Sequence, residues 1–517
     1  MKNNIIYIAL LAAGFAACEP EFDHELSNSD YSAGEADFTT YVAVGNSLTA
    51  GYMDNSMSRV GQSYSYPSIL AKQFALVGGG AFTQPSYDDD VNNLGGLLLG
   101  GNPIPGFGTR LVIDASAGGP ENIAGTSTIE VSTLQQKAYN NTGVPGAKSF
   151  HLLAAGYGNV AGVALGQANP YFVRTATSPT TTVLADAMSL NPTFFTNWIG
   201  SNDVLAYATS GGVGIDQTGN YNPATYGSND ITDPTVFANT YGAIVTTLTS
   251  HGAKGVLATI PNVTAIPYFT TVPYAPLSPT ALGGSANIQS LNALYGGIKQ
   301  VLTAYGEGAR INLLSETQAN PVIIKDETLT NYSAQLTAAL TPAFGAATAA
   351  FVGTTFGQVR QATANDLILL PASSVIGKAP AGVPAPFDKY GVTYPLGDNL
   401  VLIPSEIALI NAATANFNNT IVGVAATKSL AVADMNAILN QLVSGLKLED
   451  GSIYTANYFS TTTISTVVFS LDGVHPNARG YALIANEIIK VINEHYHAKL
   501  PLVDPAYYPG ATVLGSN

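Results

Sequence analysis

The sequence predicts an α/β fold in which a mostly parallel sheet is covered by helices on both faces. The main observation is that short β-rich runs alternate with amphipathic helical stretches along most of the chain, as in parallel strands joined by crossover helices. The first run, Tyr41 to Val44, ends at Gly45 and is typical of a buried strand followed by a sharp turn. A chain of 517 residues is also long enough to bury an ample core.

The remaining elements follow from residue type and spacing. Asp233 and Pro234 have the form of an N-cap followed by proline at the first helical position, and Gly252 ends that helix. Further amphipathic helices are expected at 288–302, about 404–417 and 481–491, and further strands at 193–199, 255–260 and 430–434.

Two segments interrupt the alternation. Residues 53–135 are rich in Gly, Pro, Ser and Asn, and residues 306–400 contain an Ala-rich stretch from Ala334 to Val352. Pro342 and Gly345 break that stretch, so we expect a packed helical insertion or lid instead of a membrane span. The predicted domain therefore covers 38–498 with insertions at about 53–135 and 306–400, followed by a tail at 499–517.

The N-terminus is typical of an export signal. Lys2 precedes an apolar run from Ile5 to Ala13 that is too short to span a bilayer. Small residues then lead to Cys18, which resembles a bacterial lipobox, although Phe15 stands where leucine is usual. The resemblance implies a signal peptide at 1–17, lipidation of Cys18 and attachment to the outer membrane; the alternative is an ordinary signal peptide.

The acidic stretch after Cys18 predicts a flexible tether at 18–37. It also resembles the export signal of some lipoproteins that reach the cell surface.

Composition excludes several classes of function. Lys and Arg number 19 against 34 Asp and Glu, a net charge of −15, which argues against nucleic acid as a partner because phosphate binding requires clustered basic residues. The single cysteine excludes an internal disulfide and a cysteine-based zinc site.

Four short segments carry candidate chemistry. The segment 45–52 places Ser47 at a strand-to-helix turn, where open α/β folds bind ligands. The segment 200–203 places Asn202 directly after a predicted strand, and 141–146 is a Gly/Pro turn that could present a backbone N–H. In 472–476, an Asp and a His three residues apart precede the last helix, and such a pair can activate a nucleophile. Taken alone, the serine segment is more typical of a structural turn than of a catalytic site.

Taken in this order, the four segments resemble the blocks of the SGNH or GDSL hydrolase family of lipases and acylhydrolases. The resemblance implies a flavodoxin-like three-layer α/β/α sandwich. It also implies that Ser47 is the nucleophile, His475 the general base and Asp472 the residue that orients His475. The oxyanion hole would comprise the N–H groups of Ser47 and Gly146 and the side chain of Asn202.

Two points in this assignment stay open. Gly143 is an alternative to Gly146, although Gly146 fits the spacing from Asn141 better. Asn46 replaces the aspartate usual in the first block, which leaves the hydroxyl-bearing position intact but changes the local charge.

The expected function is a cell-surface serine esterase that needs no cofactor or metal. Its substrate would be a lipid ester or an O-acylated glycan. The alternatives are a non-catalytic glycan-binding lipoprotein on a hydrolase-like fold and a helical glycan-binding lipoprotein, which one Trp and repeated strands disfavour. Asp88 to Asp90 could suggest calcium, but the residues that follow do not continue a calcium-loop pattern. Trp198 and the segment from Pro267 to Tyr274 are candidates to border the site.

Overall fold

A computed structural model describes residues 30–114, 119–448, 450–460 and 462–514. Cys18, the predicted signal peptide and most of the predicted tether lie outside these residues. Within the described part of the chain, no helix is long and apolar enough to cross a membrane.

The centre of the molecule is a five-stranded sheet in which every neighbouring pair is parallel. Its strands are β1 (Tyr41–Gly45), β2 (Asn141–Gly143), β3 (Phe194–Trp198), β4 (Lys254–Ala258) and β5 (Ala431–Ala433). They lie in the spatial order β2-β1-β3-β4-β5, so the strand order reverses between β1 and β3. In doubly wound sheets this reversal opens a crevice at the carboxyl ends of the strands.

Fourteen α-helices lie in the described ranges, besides short 3₁₀ turns: α1 (Ser47–Ala50), α2 (Arg59–Ser63), α3 (Tyr66–Ala75), α4 (Pro170–Thr175), α5 (Val183–Met188), α6 (Asn202–Thr209), α7 (Pro234–Leu248), α8 (Pro267–Thr270), α9 (Ser285–Ala304), α10 (Ser333–Phe344), α11 (Ala346–Phe356), α12 (Pro404–Lys428), α13 (Met435–Ser444) and α14 (Ala478–His495). Short strands outside the sheet pair as Leu98–Leu99 with Asn102–Pro103, Leu111–Asp114 with Gly119–Asn122 and Val513–Leu514, Ile323–Lys325 with Val359–Gln361, Leu367–Ile368 with Val401–Leu402, and Leu446–Lys447 with Ile453–Tyr454.

Helices cover both faces of the sheet because successive strand residues point to opposite sides. Val42 and Val44 of β1 pack into a core shared with α5, α6, α7 and α12. Tyr41 and Ala43 pack into a second core shared with α3 and α14. The predicted mixed α/β class with a parallel sheet and helices on both faces is therefore confirmed.

Helix α3 lies inside 53–135, which was expected to be an insertion without helical periodicity. Ser65 caps it, Pro67 stands in its first turn, and Ile69, Leu70 and Phe74 are buried against the sheet. Only ten residues long, this helix offers too few turns for its apolar stripe to stand out in sequence.

The second insertion has a core of its own and starts earlier than 306. Ile288, Tyr295 and Leu302 of α9 pack with the helical hairpin α10–α11 and not against the sheet. The core includes residues from 272 to 403. An amphipathic stripe shows that a helix buries one face but not what covers that face, so the boundary could not be read from periodicity.

Residues 32–36 of the predicted tether lie against the end of the last helix. Ser32 pairs with Lys499 in an isolated antiparallel bridge, and the Glu35 N–H donates to the Tyr496 carbonyl at 2.8 Å. Ala36 is buried in the second core. The ordered domain therefore begins before residue 38 and includes part of the predicted tail.

Candidate active site

Ser47 stands at the carboxyl end of β1, where the chain turns directly into α1. The Asn46 side chain caps this helix by accepting a hydrogen bond from the Leu48 N–H at 3.1 Å. This is a role that asparagine fills as well as the aspartate usual in the first block. The turn therefore places the Ser47 hydroxyl at the edge of the sheet. Within the described chain, no group accepts a hydrogen bond from the Ser47 N–H.

Ser47, His475 and Asp472 form one hydrogen-bonded series. The Ser47 hydroxyl is 2.9 Å from His475 Nε2, and His475 Nδ1 is 2.9 Å from Asp472 Oδ2. An ionised carboxylate only accepts hydrogen bonds, so Nδ1 carries a proton and donates it to Asp472. Nε2 of the neutral ring then accepts from Ser47, which is the arrangement in which a histidine can take up a serine proton.

Asp472 is fixed by further donors from its own turn. Its Oδ1 accepts from the Ser470 hydroxyl at 3.0 Å and from the N–H groups of Val474 and His475 at 2.8 Å each. Burial raises the pKa of this carboxyl, but the facing His475 and these hydrogen bonds outweigh burial and lower the pKa to about 2. Asp472 is therefore ionised at neutral pH.

A turn far away in sequence also holds Asp472. Met53 and Ser56 pair across a tight turn in which Asp54 and Asn55 both have positive φ, and the Asn55 N–H donates to Asp472 Oδ2 at 2.9 Å. Asp and Asn tolerate this backbone conformation better than most residues. The residue types Asp54 and Asn55 predict a turn, but they do not predict that this turn contacts Asp472, which lies 417 positions after Asn55.

Asp54 is a second buried carboxyl next to Asp472. It accepts a hydrogen bond from the Leu471 N–H at 3.0 Å, and its own N–H donates to the Ser470 hydroxyl at 3.0 Å. Burial, followed by the charge of Asp472, raises the pKa of Asp54 to about 6, although the Leu471 hydrogen bond opposes this.

This pKa predicts how Asp54→Asn changes stability with pH. The pKa of Asp54 in the folded chain exceeds the usual 3.8, so ionisation of this carboxyl opposes folding. The stability that the protonated carboxyl contributes is lost as pH rises through about 6. The neutral amide keeps an acceptor for Leu471. We expect the free energy of unfolding of Asp54→Asn to exceed that of wild type by roughly 3 kcal/mol at pH 7.

Chemical denaturation of both proteins between pH 4 and 7 measures this difference. It should shrink to below about 1 kcal/mol at pH 4, where Asp54 is protonated in the folded chain and only partly ionised in the unfolded chain. A difference that does not change with pH would contradict the assignment.

Gly146 and Asn202 line the same open cleft as Ser47 and His475, whose volume is about 430 Å³. The Asn202 amide nitrogen donates one hydrogen bond to the Ala147 carbonyl at 2.9 Å, which fixes the side chain and leaves its second N–H available. Gly146 has a φ of +80°, and among the described residues its N–H has no acceptor.

Gly143, the alternative for the Gly146 role, is placed differently. Its N–H donates to the Asn141 side chain at 3.0 Å, and it does not line this cleft. A Cβ at Gly143 would approach the Ala50 nitrogen to 2.3 Å, so glycine is required here for close packing of β2 on α1.

The other sequence candidates have structural partners. Asp89 pairs with Arg174 at 2.7 Å, and Asp90 accepts hydrogen bonds from the backbone of its own loop. Tyr268 lines the cleft, as expected for its segment, and donates to the Thr209 carbonyl at 3.2 Å. Tyr52, which the sequence did not single out, packs its ring 4.6 Å from the His475 ring.

Comparisons of the chain with known protein families, with curated proteins and with solved structures found no match.

Proposed function

We propose that this protein is a serine esterase of the SGNH or GDSL type, with a flavodoxin-like α/β/α fold, that cleaves carboxylic esters through an acyl-Ser47 intermediate. The observation that carries the proposal is the Ser47–His475–Asp472 series, with both hydrogen bonds at 2.9 Å. The strand order 2-1-3-4-5 agrees with the proposed fold.

In the proposed first step, Ser47 Oγ bonds to the ester carbonyl carbon while its proton passes to His475 Nε2. The carbonyl π electrons move to oxygen, and the resulting oxyanion accepts hydrogen bonds from the N–H groups of Ser47 and Gly146 and from Asn202. Fixed donors of this kind stabilise the transition state more than the bound ester, because the negative charge is largest there.

The intermediate then collapses. The bond from carbon to the alcohol oxygen breaks, and that oxygen takes the proton from His475 as the alcohol leaves. A water molecule occupies the vacated place, gives a proton to His475 and attacks the acyl-Ser47 carbonyl. The second collapse returns the proton to Ser47 and releases the carboxylic acid. Asp472 remains ionised throughout and stabilises the imidazolium that forms twice in the cycle.

The decisive experiment combines hydrolysis with covalent labelling. The protein without residues 1–17 should hydrolyse p-nitrophenyl butyrate, and an alkyl fluorophosphonate should block it by modifying the peptide that contains Ser47. The Ser47→Ala variant should not be labelled. Modification at another residue, or no hydrolysis of any ester tested, would overturn the proposal. Retention of a glycan without hydrolysis would support the glycan-binding alternative.

We also propose that a lipid on Cys18 anchors the protein to the outer membrane at the cell surface. The support is the sequence pattern from Lys2 to Cys18. Cells grown with radioactive palmitate should label the wild-type protein and not Cys18→Ser. Equal labelling of the two proteins would refute the anchor.

A further inference from the structure

A second cavity adjoins the open cleft at the candidate active site. Ser47, Asn202, Leu205, Val474 and His475 line both spaces, so the two meet at the Ser47 hydroxyl. The second cavity is narrow, with a volume of about 90 Å³ against about 430 Å³ for the cleft. We call it the apolar channel.

The walls of the channel are hydrocarbon. Ile438, Leu439 and Leu442 of α13 line it together with Leu483 and Ile484 of α14. Apart from Ser47, Ser201, Asn202 and His475, all its lining residues are apolar.

Trp198 also contributes to the channel wall. The Trp198 indole N–H donates to the Thr259 carbonyl at 3.1 Å. Its polar atom is therefore satisfied, and the ring offers the channel only its aromatic surface.

The open cleft is more polar than the channel, although aromatic and aliphatic side chains also line it. Asn55, Thr209 and Ser228 line it, so a bound group there meets polar side chains. An ester with one apolar and one polar end would therefore place each end in a different space, with its carbonyl carbon at Ser47.

The proposed mechanism determines which end of the ester lies in the open cleft and which lies in the apolar channel. In the proposed mechanism, the water that cleaves the acyl-enzyme takes the place of the departed alcohol and is activated by the same His475. Water can reach that place through the open cleft, which is the larger and more polar of the two spaces, whereas the channel is small and lined mainly by hydrocarbon. The alcohol therefore occupies the cleft, and the acyl chain occupies the channel.

We infer that the substrates are esters of linear aliphatic acids with polar alcohols, and that the apolar channel binds the acyl chain. This inference rests on the proposed esterase function. Burial of a methylene stabilises binding by about 0.8 kcal/mol, which corresponds to about fourfold per methylene. We therefore expect kcat/KM to rise by roughly this factor per methylene from p-nitrophenyl acetate to the hexanoate.

Variants that narrow the channel test the assignment. Ile438 and Ile484 are only partly buried, so Ile438→Trp and Ile484→Trp can each be accommodated while obstructing the channel. Each should lower the hexanoate-to-acetate ratio of kcat/KM at least tenfold. The matched control is Val443→Trp, at an exposed position of the same helix as Ile438, which should keep the wild-type ratio.

A binding measurement gives an independent readout. Trp198 is the only tryptophan of the chain, so its fluorescence reports occupation of the channel. In Ser47→Ala, which should bind an ester without turning it over, ethyl octanoate should change the emission and ethyl acetate should not.

The outcomes separate the two proposals. Ser47-dependent hydrolysis that is fastest with acetate, together with no fluorescence response, would overturn the channel assignment and leave the esterase intact. A fluorescence response to octanoate without hydrolysis of any ester would overturn the esterase and support the channel as an aliphatic binding site. The assignment would also be overturned if Ile438→Trp and Ile484→Trp both kept the wild-type hexanoate-to-acetate ratio of kcat/KM.

Discussion

Ser47→Ala, His475→Ala and the double variant are each expected to lower kcat for p-nitrophenyl butyrate by about the same factor, roughly 10⁶. The reason is that the serine hydroxyl and the imidazole act as one unit across their 2.9 Å hydrogen bond. Without either partner no alkoxide-like nucleophile forms, so removing the second costs little more. The activity that remains comes from substrate binding and the oxyanion hole.

Steady-state kinetics of the four proteins, with active-site titration of the wild type, measure this non-additivity. The matched controls are Ser250→Ala and His251→Ala, which change the same two residue types in an exposed turn after α7 and should keep the wild-type kcat. If the losses of the two single variants multiplied in the double variant, the two side chains would act independently and the proposed proton transfer would be wrong.

Asp472→Asn is expected to lower kcat by about 10⁴. In the wild type, Asp472 Oδ2 accepts hydrogen bonds from both His475 Nδ1 and the Asn55 N–H. In the variant, an amide nitrogen replaces one carboxylate oxygen, and this nitrogen cannot accept hydrogen bonds. The histidine then loses the partner that keeps its proton on Nδ1 and that stabilises the imidazolium. Kinetics of Asp472→Asn beside the exposed control Asp450→Asn measure the loss, and near wild-type activity would contradict the orienting role.

The same substitution should change stability in a pH-dependent way. The pKa of Asp472 is lowered from 3.8 to about 2 in the folded chain, so its ionised form stabilises the fold. This stabilisation, roughly 2 kcal/mol, is present above about pH 4 and is lost as pH falls through about 2. The difference in free energy of unfolding between wild type and Asp472→Asn should therefore be largest above pH 4 and narrow towards pH 2.

The residues of the site could be foreseen from sequence, but two of its surrounding features could not. Ser47, Asn202, Asp472 and His475 lie in short segments at predicted strand ends or before a helix, and the structure brings them together at one cleft. The Asp54–Asn55 turn and the apolar channel were not foreseen. Each depends on which elements contact one another in the folded chain, and local residue spacing does not predict those contacts.

The sequence by itself determined the parallel α/β class, the edge of the sheet where chemistry-bearing residues collect, and the four segments that supply them. These properties follow from local rules: apolar runs form buried strands, and the chain turns at glycine-rich segments after their carboxyl ends. Only the tertiary structure decided that Gly146 and not Gly143 lines the cleft, with an N–H that has no acceptor among the described residues. It also decided that α9 packs with the second insertion and that α13 and α14 line an apolar channel beside Ser47. The physical reason is that packing partners and cavity walls are set by contacts between elements that are not adjacent in sequence, whereas a sequence pattern specifies only which face of an element must be buried.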